Sequence, residues 1–258
     1  MRNPTSISLS DENYVMPEII EEFHNIVNRS RRVVFFGGAG VSTASGIPDF
    51  RSAGGLYSSR WHGLDPETVL SAEYFAMHTE EFYKYYRENM LHPEAKPGAV
   101  HRWLYELEKE DRLRGIVTQN IDGLHRAAGN KRVYELHGNV HENYCIDCET
   151  GYPAEKILRT RGIPRCDICG GIIKPWVVLY GEILDKYTCL GAQREISGAD
   201  TLIIAGTSLS VEPAASFIEY FTGKNLIVIN REPTPADERA TLLIRGRIED
   251  VIGQQESP

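Results

Sequence analysis

The sequence predicts an α/β protein: a doubly wound parallel sheet carrying a smaller inserted zinc-ribbon and helical module. Three observations predict it. Short apolar runs read as strands buried on both faces: VVFF before Gly37, RGIVTQN at 114–120, TLIIAGTS at 201–208, LIVIN at 226–230 and TLLI at 241–244. Segments of helical spacing alternate with them, the pattern of strands joined by crossovers over a parallel sheet. The stretch at about 139–180 breaks the alternation, with paired cysteines, a Gly-Gly and no helical period, and reads as an insertion.

Taken in order, Pro17 followed by Ile19, Ile20, Phe23, Ile26 and Val27 predicts an amphipathic helix over about 17–29. It leads into the VVFF strand and its glycines. Helices are predicted over 66–77, 79–91 and 98–110, the last from Val100, Trp103, Leu104 and Leu107, and over 213–222 after Pro213.

Composition bounds the function. A chain of 258 residues with 41% apolar and 25% charged residues has core enough to fold without staples. Its first dozen residues are polar and no apolar run approaches a membrane span, so a cytoplasmic protein is expected, neither secreted nor membrane-embedded. A formal net charge of −8 argues against a nucleic-acid binder and fits a basic partner such as a lysine-bearing segment.

The spacing Cys145-x2-Cys148-x17-Cys166-x2-Cys169 suits four thiolates closing a tetrahedron around zinc. With four protein ligands no position is left for water, so the metal is structural; an iron–sulfur cluster or a redox pair shares the spacing. Cys189 reads as a buried helical thiol.

After the first strand, Gly38-Ala39-Gly40 supplies a tight turn and close backbone approach to a pyrophosphate, with Ser42 and Thr43 able to donate hydroxyls. A hydride-transferring dehydrogenase would carry an acidic ribose reader about 20 residues further on. Instead the chain gives IPDFRSAGGLYSSRW, glycine-rich, aromatic and irregular, which suits a loop closing over a ligand.

GAGVSTASGIPDFRS, TQNIDGLHRAAG at 118–129, ELHGNV at 135–140, the two CxxC pairs, VVLYGE at 177–182 and GTSLSVEP at 206–213 together closely resemble the sirtuin family, in the family's order, over about residues 16–252. The resemblance implies an NAD-dependent protein-lysine deacylase, of compact prokaryotic type. A Rossmann-like domain (16–52, 96–137 and 183–252) and a small domain (53–95 and 138–182) would hold NAD and an acyl-lysine peptide between them. NAD would be consumed as co-substrate beside one structural zinc. The acyl oxygen would attack the nicotinamide ribose, releasing nicotinamide and passing the acetyl group to ADP-ribose.

Residue by residue, the resemblance implies a diphosphate cradle at Gly38, Ala39, Gly40 and Thr43, and Asp49, Phe50, Arg51 and Tyr57 in the loop over the nicotinamide ribose and phosphate. Gln119 would bind the ribose hydroxyls, while Asn120, Ile121 and Asp122 would organise the nicotinamide pocket. His137 would be the base, a task suited to imidazole near neutrality. Gly206, Thr207, Ser208 and Asn230 would meet the adenine ribose and phosphate. Backbone groups of Arg247 and Ile248 would meet adenine, although arginine there departs from the family pattern. Val178, Leu179, Tyr180, Gly181 and Glu182 would add the substrate peptide as a strand.

Sirtuins that take acidic acyl chains carry Tyr-x-x-Arg, whereas Tyr83 here is followed three residues later by Tyr86. Acetyl or other neutral acyl groups are therefore expected, on acetyl-lysine proteins or peptides, with a monomeric enzyme. His101 and His125 read as structural. Competing readings are mono-ADP-ribosyl transfer, a zinc-ribbon regulator that binds DNA and senses NAD, and a dehydrogenase.

Overall fold

The computed structural model describes residues 16–50, 52 and 54–252. In chain order the strands are β1 (Val33–Gly37), β2 (Leu113–Thr118), β3 (Val133–Glu135), β4 (Gly138–Cys145), β5 (Gly151–Pro153), β6 (Ile173–Val177), β7 (Thr201–Ala205), β8 (Asn225–Ile229) and β9 (Leu242–Ile244). The helices are α1 (Pro17–Arg29), α2 (Pro66–Val69), α3 (Ala72–Met77), α4 (Thr79–Asn89), α5 (Ala99–Lys109), α6 (Leu124–Ala127), α7 (Ala154–Arg159), α8 (Lys186–Gly198) and α9 (Ile248–Ile252).

Alternate residues of β1 enter different cores. Val33 and Phe35 pack with Phe23 and Val27 of α1, Leu104 of α5 and Val251 of α9. Val34 and Phe36 pack on the other face with Ala192 and Ile196 of α8. Both faces are covered, so the run is apolar throughout rather than alternating. Six parallel strands are ordered β3-β2-β1-β7-β8-β9. Chain order reverses between β1 and β7, and the crevice beyond their carboxyl ends is where such sheets bind ligands.

The inserted stretch forms a three-stranded antiparallel sheet, β5-β4-β6. It shares a third core with α2, α3, α4 and α7, through Val69, Phe75, Phe82, Tyr86, Ile157 and Ile173 among others. Phe82 and Tyr86, one turn apart on α4, stack with ring centroids 5.5 Å apart. Burying each such side chain contributes about 1.5–3 kcal/mol.

Two of the expected helices take another form, and α6, α7 and the 13-residue α8 were not delimited in the sequence reading. The helix predicted over 66–77 is broken at Leu70–Ser71, where Ser71 caps α3 by accepting the Tyr74 N–H at 3.1 Å. The freed backbone pairs elsewhere: Tyr180 N–H donates to Leu70 O at 3.0 Å, and Ala72 N–H to Tyr180 O at 2.9 Å. The helix predicted over 213–222 is a 3-10 segment, Ala215–Tyr220, with Phe217 and Ile218 buried. β3 was not expected, since three residues are too short to show a period. No helix among the described residues is long and apolar enough to cross a membrane.

Candidate active site

Beyond β1 the chain makes two single 3-10 turns, Ala39–Val41 and Thr43–Ser45, rather than a helix. Contact with the loop after β7 explains the glycines. A Cβ on Gly38 would lie 2.6 Å from the Thr207 Cβ, and one on Gly40 would lie 2.7 Å from the Gly206 Cα. Gly206 itself has φ +61 and would collide with Val41 N. The two loops interlock at the point where strand order reverses, with Gly40 N–H donating to Gly206 O at 2.9 Å.

A cavity of about 920 Å³ opens there, within the range of ligand pockets. Its wall gathers expected residues from separate stretches of the chain: Gly38, Ala39, Gly40 and Thr43; Asp49, Phe50 and Tyr57; Gln119, Asn120 and Ile121; His137; Val178, Leu179, Tyr180, Gly181 and Glu182; Gly206, Thr207 and Ser208; Asn230; and Arg247 and Ile248. Arg51 lies outside the described residues.

His137 is held by its surroundings. Its Nδ1 lies 2.9 Å from Gln119 O, and because a carbonyl only accepts, Nδ1 carries the proton and Nε2 the lone pair. Burial lowers the imidazole pKa below its ordinary value, and the bond to Gln119 partly offsets that. Gln119 in turn donates from Nε2 to Thr207 Oγ1 at 2.9 Å, joining the loops after β2 and β7. Gly138 has φ +73, and a Cβ there would overlap Trp176 O, so only glycine lets the chain pass after His137. His137 O accepts the Val178 N–H at 2.9 Å, tying the imidazole to the loop at 178–182.

Behind the wall is a buried polar network. Asn120 donates from Nδ2 to Gly38 O and to Ser42 Oγ, each at 3.1 Å, and Ser42 donates to Asp122 at 2.6 Å. The other Asp122 oxygen accepts the Leu124 N–H at 2.8 Å. Asp122 and Ser42 therefore do not line the cavity, and Asp122 is linked to it through Ser42 and then Asn120, which does. Ser42 and Thr43, expected to face phosphate, spend their hydroxyl protons on Asp122 and on Gly40 O. Asp49 accepts from Ser52 N–H and Oγ and shapes its loop, while Phe50 meets Tyr57 edge-on at 5.3 Å. Asn230 donates to Glu232 O at 2.8 Å. The Ile248 side chain belongs to the core, leaving its backbone for the cavity.

The sequence reading missed Ile47, Leu70, Met90, Val177, Leu184 and Val211, apolar residues that line the same cavity. Nothing distinguishes them from core positions in sequence. Tyr83 and Tyr86 are buried away from it, Tyr83 donating to Ile173 O. His101 and His125 are also buried off the cavity, with ring centroids 4.6 Å apart.

The four cysteines of the inserted sheet bring their Sγ atoms within 4.8 Å of one another. Three pairs lie at 3.4–3.5 Å. A tetrahedral zinc thiolate site, with Zn–S of about 2.3 Å, calls for sulfur separations of about 3.8 Å. The donor set is thus positioned to bind a metal ion, and four thiolates at this spacing suit zinc. Cys145 at the end of β4, Cys148 in the β4–β5 turn, and Cys166 and Cys169 between α7 and β6 would hold it, and none of the four lines the cavity.

The profile of the Sir2 family matches residues 38–213. The chain belongs to the Sir2 family. An NAD-dependent protein deacetylase of Clostridium perfringens (strain 13 / Type A) is 50% identical to this sirtuin over 241 residues, which is 93% of this chain and 99% of that protein. A solved Sir2 structure with a p53 peptide and NAD+ superposes with a TM-score of 0.78 at 39% identity, over 91% of this chain and 94% of the other. A second, with a deacetylated p53 peptide and 3′-O-acetyl-ADP-ribose, gives 0.82 at 38% identity and the same coverage.

Proposed function

We propose that this sirtuin is an NAD-dependent protein-lysine deacetylase whose base is His137. The observation that carries the reading is the His137 imidazole, neutral by burial, protonated on Nδ1 by its bond to Gln119 O and presenting an Nε2 lone pair at a cavity wall shared with the 178–182 loop. The kinship with a bacterial deacetylase and with peptide-bound and NAD-bound sirtuin structures supports it.

In this reading NAD lies along the interlocked loops after β1 and β7, its adenosine toward Asn230, Arg247 and Ile248. The acetyl oxygen forms a bond to the ribose anomeric carbon as the carbon–nicotinamide bond breaks. His137 Nε2 then takes the proton of a ribose hydroxyl, which lets that oxygen attack the acyl carbon. The amine takes up that proton and leaves as free lysine, and a water molecule adds to the acyl carbon of the cyclic acyloxonium left behind, opening it so that the acetyl group ends on ADP-ribose. Gln119 orients the ribose, while Asn120 and, through Ser42, Asp122 shape the nicotinamide pocket; Phe50, Arg51 and Tyr57 exclude water from the reacting carbon. We assign the lobes as the sequence suggests, 16–52, 96–137 and 183–252 against 53–95 and 138–182. The enzyme acts as a cytoplasmic monomer on acetyl-lysine proteins, which sedimentation and cell fractionation test.

Protein mixed with NAD and an acetyl-lysine peptide should yield free nicotinamide and deacetylated peptide in equal amounts. His137→Ala should abolish deacetylation with fold and zinc content intact; deacetylation that survives the substitution overturns the assignment. The acyl pocket should favour neutral groups, because the cations lining the described cavity are Arg231 and Arg247, on the loops after β8 and β9, while Leu70 and Met90 are apolar. A succinylated peptide should turn over more slowly than its acetylated twin, and the reverse order refutes that preference.

A further inference from the structure

Lys174 is a lysine on β6 that is only 7% exposed, and its ammonium is fully occupied. It donates to Val177 O at 3.0 Å and to Pro175 O at 3.4 Å, and it pairs with Glu182 at 3.0 Å. The same Glu182 oxygen accepts the Leu179 N–H at 2.9 Å, and Glu182 N–H returns to Leu179 O at 2.9 Å. A buried charge of this kind persists only when its partners satisfy it. Two of these partners, Pro175 O and Val177 O, are on β6 itself, and the charged one, Glu182, belongs to the loop at 178–182.

Other backbone groups of that loop are fastened too. Val178 N–H is taken by His137 O and Tyr180 pairs both ways with the break between α2 and α3. Among the described residues, no hydrogen bond engages Val178 O, the Gly181 N–H, Gly181 O or Glu182 O, so the loop keeps backbone acceptors and a donor for an incoming strand. On β6, Lys174 stands opposite Tyr144, one position from the metal-ligand strand pair Cys145–Ile173.

We propose that the Lys174–Glu182 ion pair is a positioning device that holds the peptide-binding loop in its receiving conformation and carries the rigidity of the zinc module to it. Neither residue does chemistry. Their work is to remove, before binding, the entropy a loose loop would lose on pairing with peptide. NAD meets other loops, so its affinity is indifferent to the pair.

The inference rests on the deacetylase reading for its ligand. The test uses the full-length, zinc-loaded chain carrying Lys174→Met, Glu182→Gln, both together, or Lys174→Arg. A fluorescent acetyl-lysine peptide reports its Kd by anisotropy, calorimetry gives that of NAD, and zinc content and Tm are measured alongside. Lys174→Met and Glu182→Gln should each weaken peptide binding on the order of tenfold with NAD Kd and zinc content little changed, while Tm falls for Glu182→Gln, which leaves the buried ammonium without its counter-charge. The double variant should be no weaker than the worse single one, and Lys174→Arg should restore most of the loss. An unchanged peptide Kd overturns the proposal, as does a fall of NAD affinity in parallel with that of the peptide, the mark of a merely structural pair. Failure of the unsubstituted protein to bind the peptide overturns the deacetylase reading itself, and so is told apart from both.

Discussion

At the residue scale the decisive group is the His137 imidazole, and its chemistry was invisible in sequence. Eight histidines occur and nothing local marks one of them; only the family resemblance singled out His137. The partner that fixes its tautomer is a main-chain carbonyl of Gln119, 18 positions earlier, and backbone carbonyls leave no sequence signal. The pH dependence follows from the burial. A base works deprotonated, and desolvation penalises the imidazolium, so the folded pKa falls below 6.5. The rate kcat/KM should therefore be full at neutral pH and should decline only as pH drops through that lowered value. A profile whose acidic limb lies at or above 6.5 would contradict the assignment of that limb to His137.

At the scale of elements, long periodic segments were legible and short ones were not. The helix at Pro17–Arg29 matches its expected bounds because five apolar residues repeat along one face. The strands of the large sheet were visible as apolar runs, but β3, only three residues long, was not. Tertiary pairing with Tyr180 broke the helix expected over 66–77, an override that propensity cannot foresee. The motif glycines were legible, their reason less so: Gly38 and Gly40 make room first for the neighbouring loop. Gly138 gives the sharpest test, because it combines a left-handed backbone with Trp176 O where a Cβ would stand. Gly138→Ala should cost at least about 2 kcal/mol and abolish turnover, whereas Gly162→Ala, with φ +73 and open space, should cost about 1–2 kcal/mol. Thermal melts of the two decide it, and equal losses would refute the role given to the Trp176 carbonyl.

At the scale of the molecule there are two cores flanking the parallel sheet and a third beneath the antiparallel one. The cysteine ligands Cys145 and Cys166 sit in that third core. Metal removal should therefore act regionally. After a strong chelator, hydrogen exchange should quicken across β4, β5 and β6 while β1, β7 and β8 stay protected, with one zinc released per chain. Loss of protection throughout would mean the cores do not unfold separately. The large sheet and the cysteine-bearing insertion were readable from pattern, apolar runs alternating with helical spacing until the paired cysteines interrupt them. The cavity was not, since its wall combines stretches from Gly38 to Ile248 that only folding gathers.

The backbone pairing between Tyr180 and the gap after α2 leaves an edge with acceptor and donor to spare. Backbone groups carry no side-chain code, so under the proposed function an extended segment bearing a modified lysine would be held there whatever its neighbours spell. Discrimination would then fall to apolar cavity residues such as Leu70 and Met90. Such an enzyme would answer to the mark on a protein rather than to the protein.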